Sequence, residues 1–138
     1  MCYTGTMTDQ QMQDIKAVIT SHPEIKLAYL FGSQATGNTG PMSDYDFAIY
    51  TDEPVRLKRS HVQTKLMTDL MAVLKTDAID VVVLNDLDMP ELAFAIVCEG
   101  IVLHEEEPYR LMVEPTIMNA YFDFKEILKR YDPHHYTP

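Results

Sequence analysis

The residues best suited to chemistry are two aspartates one position apart, Asp44 and Asp46, at the head of "DYDFAIY". Side chains alternate faces along a strand, so both carboxylates point the same way. Asp80 repeats the device once, breaking the apolar run "AIDVVVL". If the two strands lie side by side, three carboxylates converge on one patch. Anions that close disfavour one another's ionisation unless a cation binds between them. Oxygen-only ligands suit Mg²⁺ or Mn²⁺, and a pair of such ions clamps an in-line phosphoryl displacement.

Upstream, the apolar run "KLAYLFG" stops at Gly32-Ser33, and ten residues rich in Gly, Thr, Asn and Pro separate Ser33 from Asp44. Gly32 lets backbone approach a phosphate closely, the N–H groups after it can form an anion nest, and the Ser33 hydroxyl adds a donor. Each feature alone has a plain explanation. Asp44 passes as a turn residue, Gly-Ser is common, and Asp80 passes as a strand-end cap in water. Together, in this order and on compatible faces, they favour a metal–nucleotide site.

The elements that must position these residues read in the order α-β-β-α-β-α-β-α. "TMTDQQMQDIKAVITSHPEI" is helical, with Thr8 and Gln11 forming a capping box and Pro23 ending it. Two strands follow around the polar loop, whose length marks it as functional. Pro54 suits the first turn of a long helix reaching about Lys75, with Val62, Leu66, Leu70 and Val73 inward. "AIDVVVL" is a third strand, "MPELAFAIVCEG" a short buried helix closed by Gly100, and "IVLHE" a fourth strand. A last helix spans about 107–131, where Pro115 should kink or split it, and a short frayed tail follows. This pattern predicts one domain over 1–138 with an α/β or α+β sheet covered by helices.

Composition narrows the partners. Eleven basic residues against 21 acidic ones give a formal charge of −10. Such a surface repels a phosphate backbone, so long nucleic acid is not an expected partner. No apolar run is long enough to span a bilayer, and the start "MCYTGTMTDQQMQ" lacks the regions of a signal peptide. No membrane association and a cytoplasmic location are expected. Cys2 and Cys98 have no metal-like spacing, and Cys98 is expected to be a buried free thiol.

Gly-Ser, ten residues, then Asp-x-Asp resembles the signature of the DNA polymerase beta-like nucleotidyltransferases. The short chain, with Asp80 as third carboxylate, is similar to the minimal nucleotidyltransferases, and the resemblance runs from the first helix through "AIVCEGIVLHE". Tyr45 stands where many members have an aliphatic residue, and it should face away from the metals.

The resemblance implies a nucleotidyltransferase-like mixed sheet of about four strands flanked by helices. It implies two Mg²⁺ ions bridged by Asp44 and Asp46, and Asp80 on the catalytic ion, helping to take the proton from the attacking hydroxyl. Gly32 and Ser33 would grip the β/γ-phosphates of ATP. Members of this kind pair with a HEPN-type (HepT-like) RNase toxin in a hetero-oligomeric HepT/MntA-type toxin–antitoxin system. The antitoxin there moves AMP from ATP to a tyrosine of the toxin, an activity that composition and spacing do not show. Two rivals stand beside this reading. One is an enzyme acting on a small molecule, disfavoured because no second domain forms an acceptor pocket. The other is an antitoxin that neutralises its partner by occlusion alone.

Other residues invite a role and receive a plainer one. His104 reads as a surface or packing histidine, and Lys58, Arg59 and His61 as an exposed helix face. His134 and His135 fall in the frayed tail. Met67, Met71, Met112 and Met118 read as core or partner-facing filler. Tyr121, Phe122, Phe124, Leu128 and Tyr131 give the last helix a broad apolar band, by default core and otherwise a partner interface.

Overall fold

The computed structural model describes residues 8–32 and 44–131. Its elements are α1 (Asp9–Thr20), β1 (Ile25–Phe31), β2 (Tyr45–Thr51), α2 (Arg56–Leu74), β3 (Ile79–Val83), a 3₁₀ turn (Leu84–Asp86), α3 (Pro90–Glu99), β4 (Ile101–Glu105) and α4 (Tyr109–Tyr131). The expected order holds throughout. The Thr8 capping box forms: Gln11 N–H donates to Thr8 Oγ1 at 3.1 Å, and Thr8 N–H donates to Gln11 Oε1 at 2.9 Å.

The four strands make one mixed sheet in the order β3-β2-β1-β4. β1 runs antiparallel to both β2 and β4, while β2 and β3 are parallel. That parallel pair needs a crossover, and α2 supplies it. Each face of the sheet carries its own core. α1 and α2 cover one with Ile15, Ile19, Leu66 and Leu70 against Leu30, Phe47, Ile49 and Val81. α3 and α4 cover the other with Ile96, Val97 and Val113 against Leu27, Tyr29 and Ala48. Along β1, Ile25 faces the first core and so do Ala28 and Leu30, which strict alternation forbids. A register shift between Ile25 and Leu27 resolves this, since one extra residue flips the faces.

Four local expectations are corrected. α2 begins at Arg56 rather than at Pro54, and Leu74 rather than Val73 completes its buried stripe. α4 is not split at Pro115 but runs on as one helix, although a proline there removes one backbone donor. Cys98 is exposed, because Ala93, Ile96 and Val97 take the inward positions of α3. The band on the last helix is mostly not core: Val113 is the only buried residue of α4, while Phe122 and Tyr131 are exposed. Among the described residues no helix is long and apolar enough to cross a membrane.

Candidate active site

The parallel pairing of β2 with β3 sets Asp46 directly beside Asp80. Neighbouring strands lie about 4.8 Å apart, so these carboxylates are adjacent on one face of the sheet. Asp44 stands just before β2, two residues from Asp46, and alternation gives it the same face. Tyr45 packs against the opposite core, as expected for the residue between them. The expected convergence of the three aspartates at one edge is therefore present in the backbone.

Their electrostatics match their placement. The Asp46 carboxyl is held above its ordinary value, chiefly by partial burial and then by the charges of Asp80 and Asp44. A carboxylate in this setting gains from a cation set between it and its neighbours. Among the described residues, no three His, Cys, Asp or Glu side chains are already gathered into a metal cage. The oxygen-only donor set nevertheless fits a hard divalent ion.

Gly32 carries the second half of the site. It follows the end of β1, where Phe31 pairs with Asp46, and its φ is +77°. That left-handed conformation favours glycine. A Cβ at Gly32 would also lie 2.5 Å from Asp46 Oδ2. Glycine thus serves two ends here: it turns the chain out of β1, and it leaves room for the Asp46 carboxylate against the backbone. The second role is invisible in the Gly-Ser motif, because it depends on the β1–β2 register. Ser33 lies outside the described residues, as do His134, His135 and Cys2.

The polar residues given plainer roles divide. Lys58 and His61 are exposed, as expected of a helix face. Arg59 is not, and this corrects the expectation for it. Its Nη2 donates to Asp86 Oδ1 at 2.6 Å and its Nε to Asp86 Oδ2 at 3.1 Å, while Nη1 donates to the carbonyls of Glu53 and Pro54 at 3.0 Å each. This clamp ties the start of α2 to the 3₁₀ turn after β3, joining the two ends of the crossover. His104 forms a 3.0 Å hydrogen bond with Glu106, a packing role. Gln63 Nε2 donates to the Val81 carbonyl at 2.6 Å and so blunts the open edge of β3.

The family model described as polymerase beta, nucleotidyltransferase matches residues 13–109. A relative from Aphanizomenon flos-aquae (strain 2012/KM1/D3), named protein adenylyltransferase MntA, is 32% identical over 95 residues, covering 64% of this chain. The match spans 63% of that relative's length. In fold, the chain is similar to one in a crystal structure of a toxin–antitoxin with AMP-PNP, with a TM-score of 0.72 and 21% identity, covering 87% of this chain and 94% of that one. It is also similar to one in a structure of a tri-AMPylated Shewanella oneidensis HEPN toxin in complex with MNT antitoxin. There the TM-score is 0.69 at 19% identity, over 91% of this chain and 95% of that one. At such identities these likenesses concern the fold.

Proposed function

Because this chain belongs to the polymerase beta nucleotidyltransferase family, we propose that it transfers AMP from ATP to tyrosine hydroxyls of a HEPN-type RNase toxin. It thereby acts as that toxin's antitoxin, in the cytoplasm and within a hetero-oligomeric complex. The observation that carries the reading is the register of Asp46 beside Asp80 with Gly32 folded against the Asp46 carboxylate. Support for the acceptor comes from the relative named a protein adenylyltransferase and from the fold shared with a complex whose HEPN toxin is tri-AMPylated.

In the proposed reaction the tyrosine oxygen bonds to the α-phosphorus of ATP. The bond from that phosphorus to its bridging oxygen breaks, and pyrophosphate leaves with the electron pair. Asp80 helps to take the hydroxyl proton. Gly32 and Ser33 hold the β/γ-phosphates through backbone N–H groups and the Ser33 hydroxyl. Asp44, Asp46 and Asp80 would hold two divalent ions, Mg²⁺ or Mn²⁺, which supply positive charge to the triphosphate when bound. Positioning and electrostatics supply nearly all the catalysis in such transfers.

Incubation of the chain with ATP, Mg²⁺ and a HEPN-type toxin protein tests the reading. Mass spectrometry should find AMP on one or more toxin tyrosines, and Asp44→Asn should remove the adducts and restore toxicity. Protection by that variant with no adduct present would mean neutralisation by binding alone.

A further inference from the structure

We infer that the groove between the end of β4 and the first turns of α4 docks a basic, apolar-flanked segment of a protein partner. The identity of that partner as the HEPN toxin rests on the function proposed above, whereas the groove's chemistry does not.

The groove is a cavity of about 430 Å³ whose apolar lining comes from Pro108, Leu111, Pro115 and Met118. Leu111 is 77% exposed, the most exposed large aliphatic side chain described, on a helix that buries only Val113. A volume of this size falls within the roughly 300–1,000 Å³ of pockets that take a ligand. Two prolines in the wall limit its collapse, since each fixes its own backbone φ.

The lining also carries four glutamates against one arginine. That arginine is paired within the rim: Arg110 Nη1 donates to Glu105 Oε2 at 2.7 Å, and Nε donates to Glu114 Oε2 at 2.9 Å. The buried Tyr29 hydroxyl donates to the same Glu114 oxygen at 2.6 Å, fixing the carboxylate from below. Glu106 turns instead to Lys26 at 3.3 Å and His104 at 3.0 Å. Glu107 is exposed and has no ion-pair or hydrogen-bond partner among the described residues. The rim is thus held in place and negative in excess.

These features select the occupant. A nucleic acid is repelled. A metal ion is not favoured, because Glu105, Glu106 and Glu114 are already hydrogen-bonded to Arg110, Lys26, His104 and Tyr29. A second copy brings the same excess, 21 acidic residues against 11 basic ones. A Lys- or Arg-bearing segment with an apolar neighbour satisfies both the floor and the rim. Placement gives the groove its use. Glu105 pairs with Leu27 at the start of β1, whereas Asp46 pairs with Phe31 at its end, a separation of about 14 Å along the strand. β1 lies between the two, so the span across the sheet is about 17 Å. A partner held here leaves the aspartates uncovered, and at least five extended residues at roughly 3.3–3.6 Å each are needed to reach them. Tethering of this kind raises the local concentration of the acceptor.

Short fluorescein-labelled peptides rich in Lys/Leu, Glu/Leu or Lys/Ser, titrated into the full chain by anisotropy, test the groove. Only the Lys/Leu peptide should bind, and Leu111→Ser or Glu107→Lys should each weaken it about tenfold, with Glu107→Lys also flattening its salt dependence. Both sites are exposed, and circular dichroism confirms that the variants fold. The same substitutions should weaken the complex with the HEPN protein, while Asp46→Asn leaves that complex intact and abolishes transfer. Unchanged binding in both groove variants, or equal binding of all three peptides, overturns the inference. So does self-association of the wild-type chain that Leu111→Ser abolishes, because the occupant is then a second copy. If the peptide results hold and the toxin gains no AMP, the proposed function fails and the groove stands.

Discussion

Asp46 and Asp86 are the same residue in opposite settings. Asp46 is flanked by Asp80 and Asp44, and its carboxyl is pushed above the ordinary value by partial burial and by those charges. Asp86 receives two hydrogen bonds from Arg59, which hold its carboxyl below that value. The clamp at Asp86 is complete within the chain. The carboxylate at Asp46 sits partly buried beside the like charges of Asp80 and Asp44. One carboxylate holds the crossover together, and the other is crowded by its own kind.

That contrast is sharpest when the aspartates are changed. Asp46→Asn or Asp44→Asn should abolish nucleotidyl transfer while the fold survives, because on the proposed function each would remove a metal ligand rather than a structural partner. Nucleotidyl transfer at the wild-type rate in either variant, followed by pyrophosphate release, would remove the site from the aspartates. Ser33→Ala should have a partial effect, roughly ten- to a thousandfold, the scale of one anion-stabilising donor. A loss as complete as that of the aspartates would give Ser33 a larger role than phosphate binding.

Arg59→Ala tests the other side of the comparison. It should lower the thermal unfolding midpoint by several degrees, because it leaves Asp86 only the long 3.9 Å contact with exposed Arg56 and frees the carbonyls of Glu53 and Pro54. Transfer per folded molecule should change little, since the clamp lies at the opposite end of β3 from Asp80. A large loss of activity with unchanged stability would mean that Arg59 acts at the site.

The two aspartates also mark how far sequence reading reaches. Asp44, Asp46 and Asp80 were legible because period-two alternation and an apolar strand interrupted once are local signals. The pairing of β2 with β3 followed from adding one assumption about adjacency. The Arg59–Asp86 clamp joins residues 27 apart, and no local pattern marks which arginine on α2 turns inward. Cys98 was misread for a related reason: "LAFAIVCEG" is apolar all along, and only the helix's rotation decides which side is buried. Pro115 shows that packing overrides propensity, since the helix around it is anchored by Val113 and the Tyr29–Glu114 bond. The contact of Gly32 with the Asp46 carboxylate depends on strand register, which the sequence does not state.

The smallest expected effect separates Asp46 from Asp86 by the sign of their pH dependence. The folded pKa of Asp86 is depressed, so its stabilisation is present above the ordinary carboxylate value of 3.8 and is lost as pH falls through the folded value. The folded pKa of Asp46 is raised, so the reverse applies: the folded state is favoured while that carboxyl is protonated, and this advantage is lost as pH rises through the folded value. In chelator, Asp46→Asn should therefore be slightly more stable than wild type at neutral pH, and the difference should shrink toward zero below about pH 4. Mg²⁺ should stabilise the wild-type chain and close the gap from the other side, with little effect on the variant. Urea unfolding across pH, with chelator and with Mg²⁺, reads both effects. A difference that is flat with pH, or a variant less stable than wild type at neutral pH, would mean that neither burial nor the neighbouring charges disfavour the ionised Asp46 carboxylate.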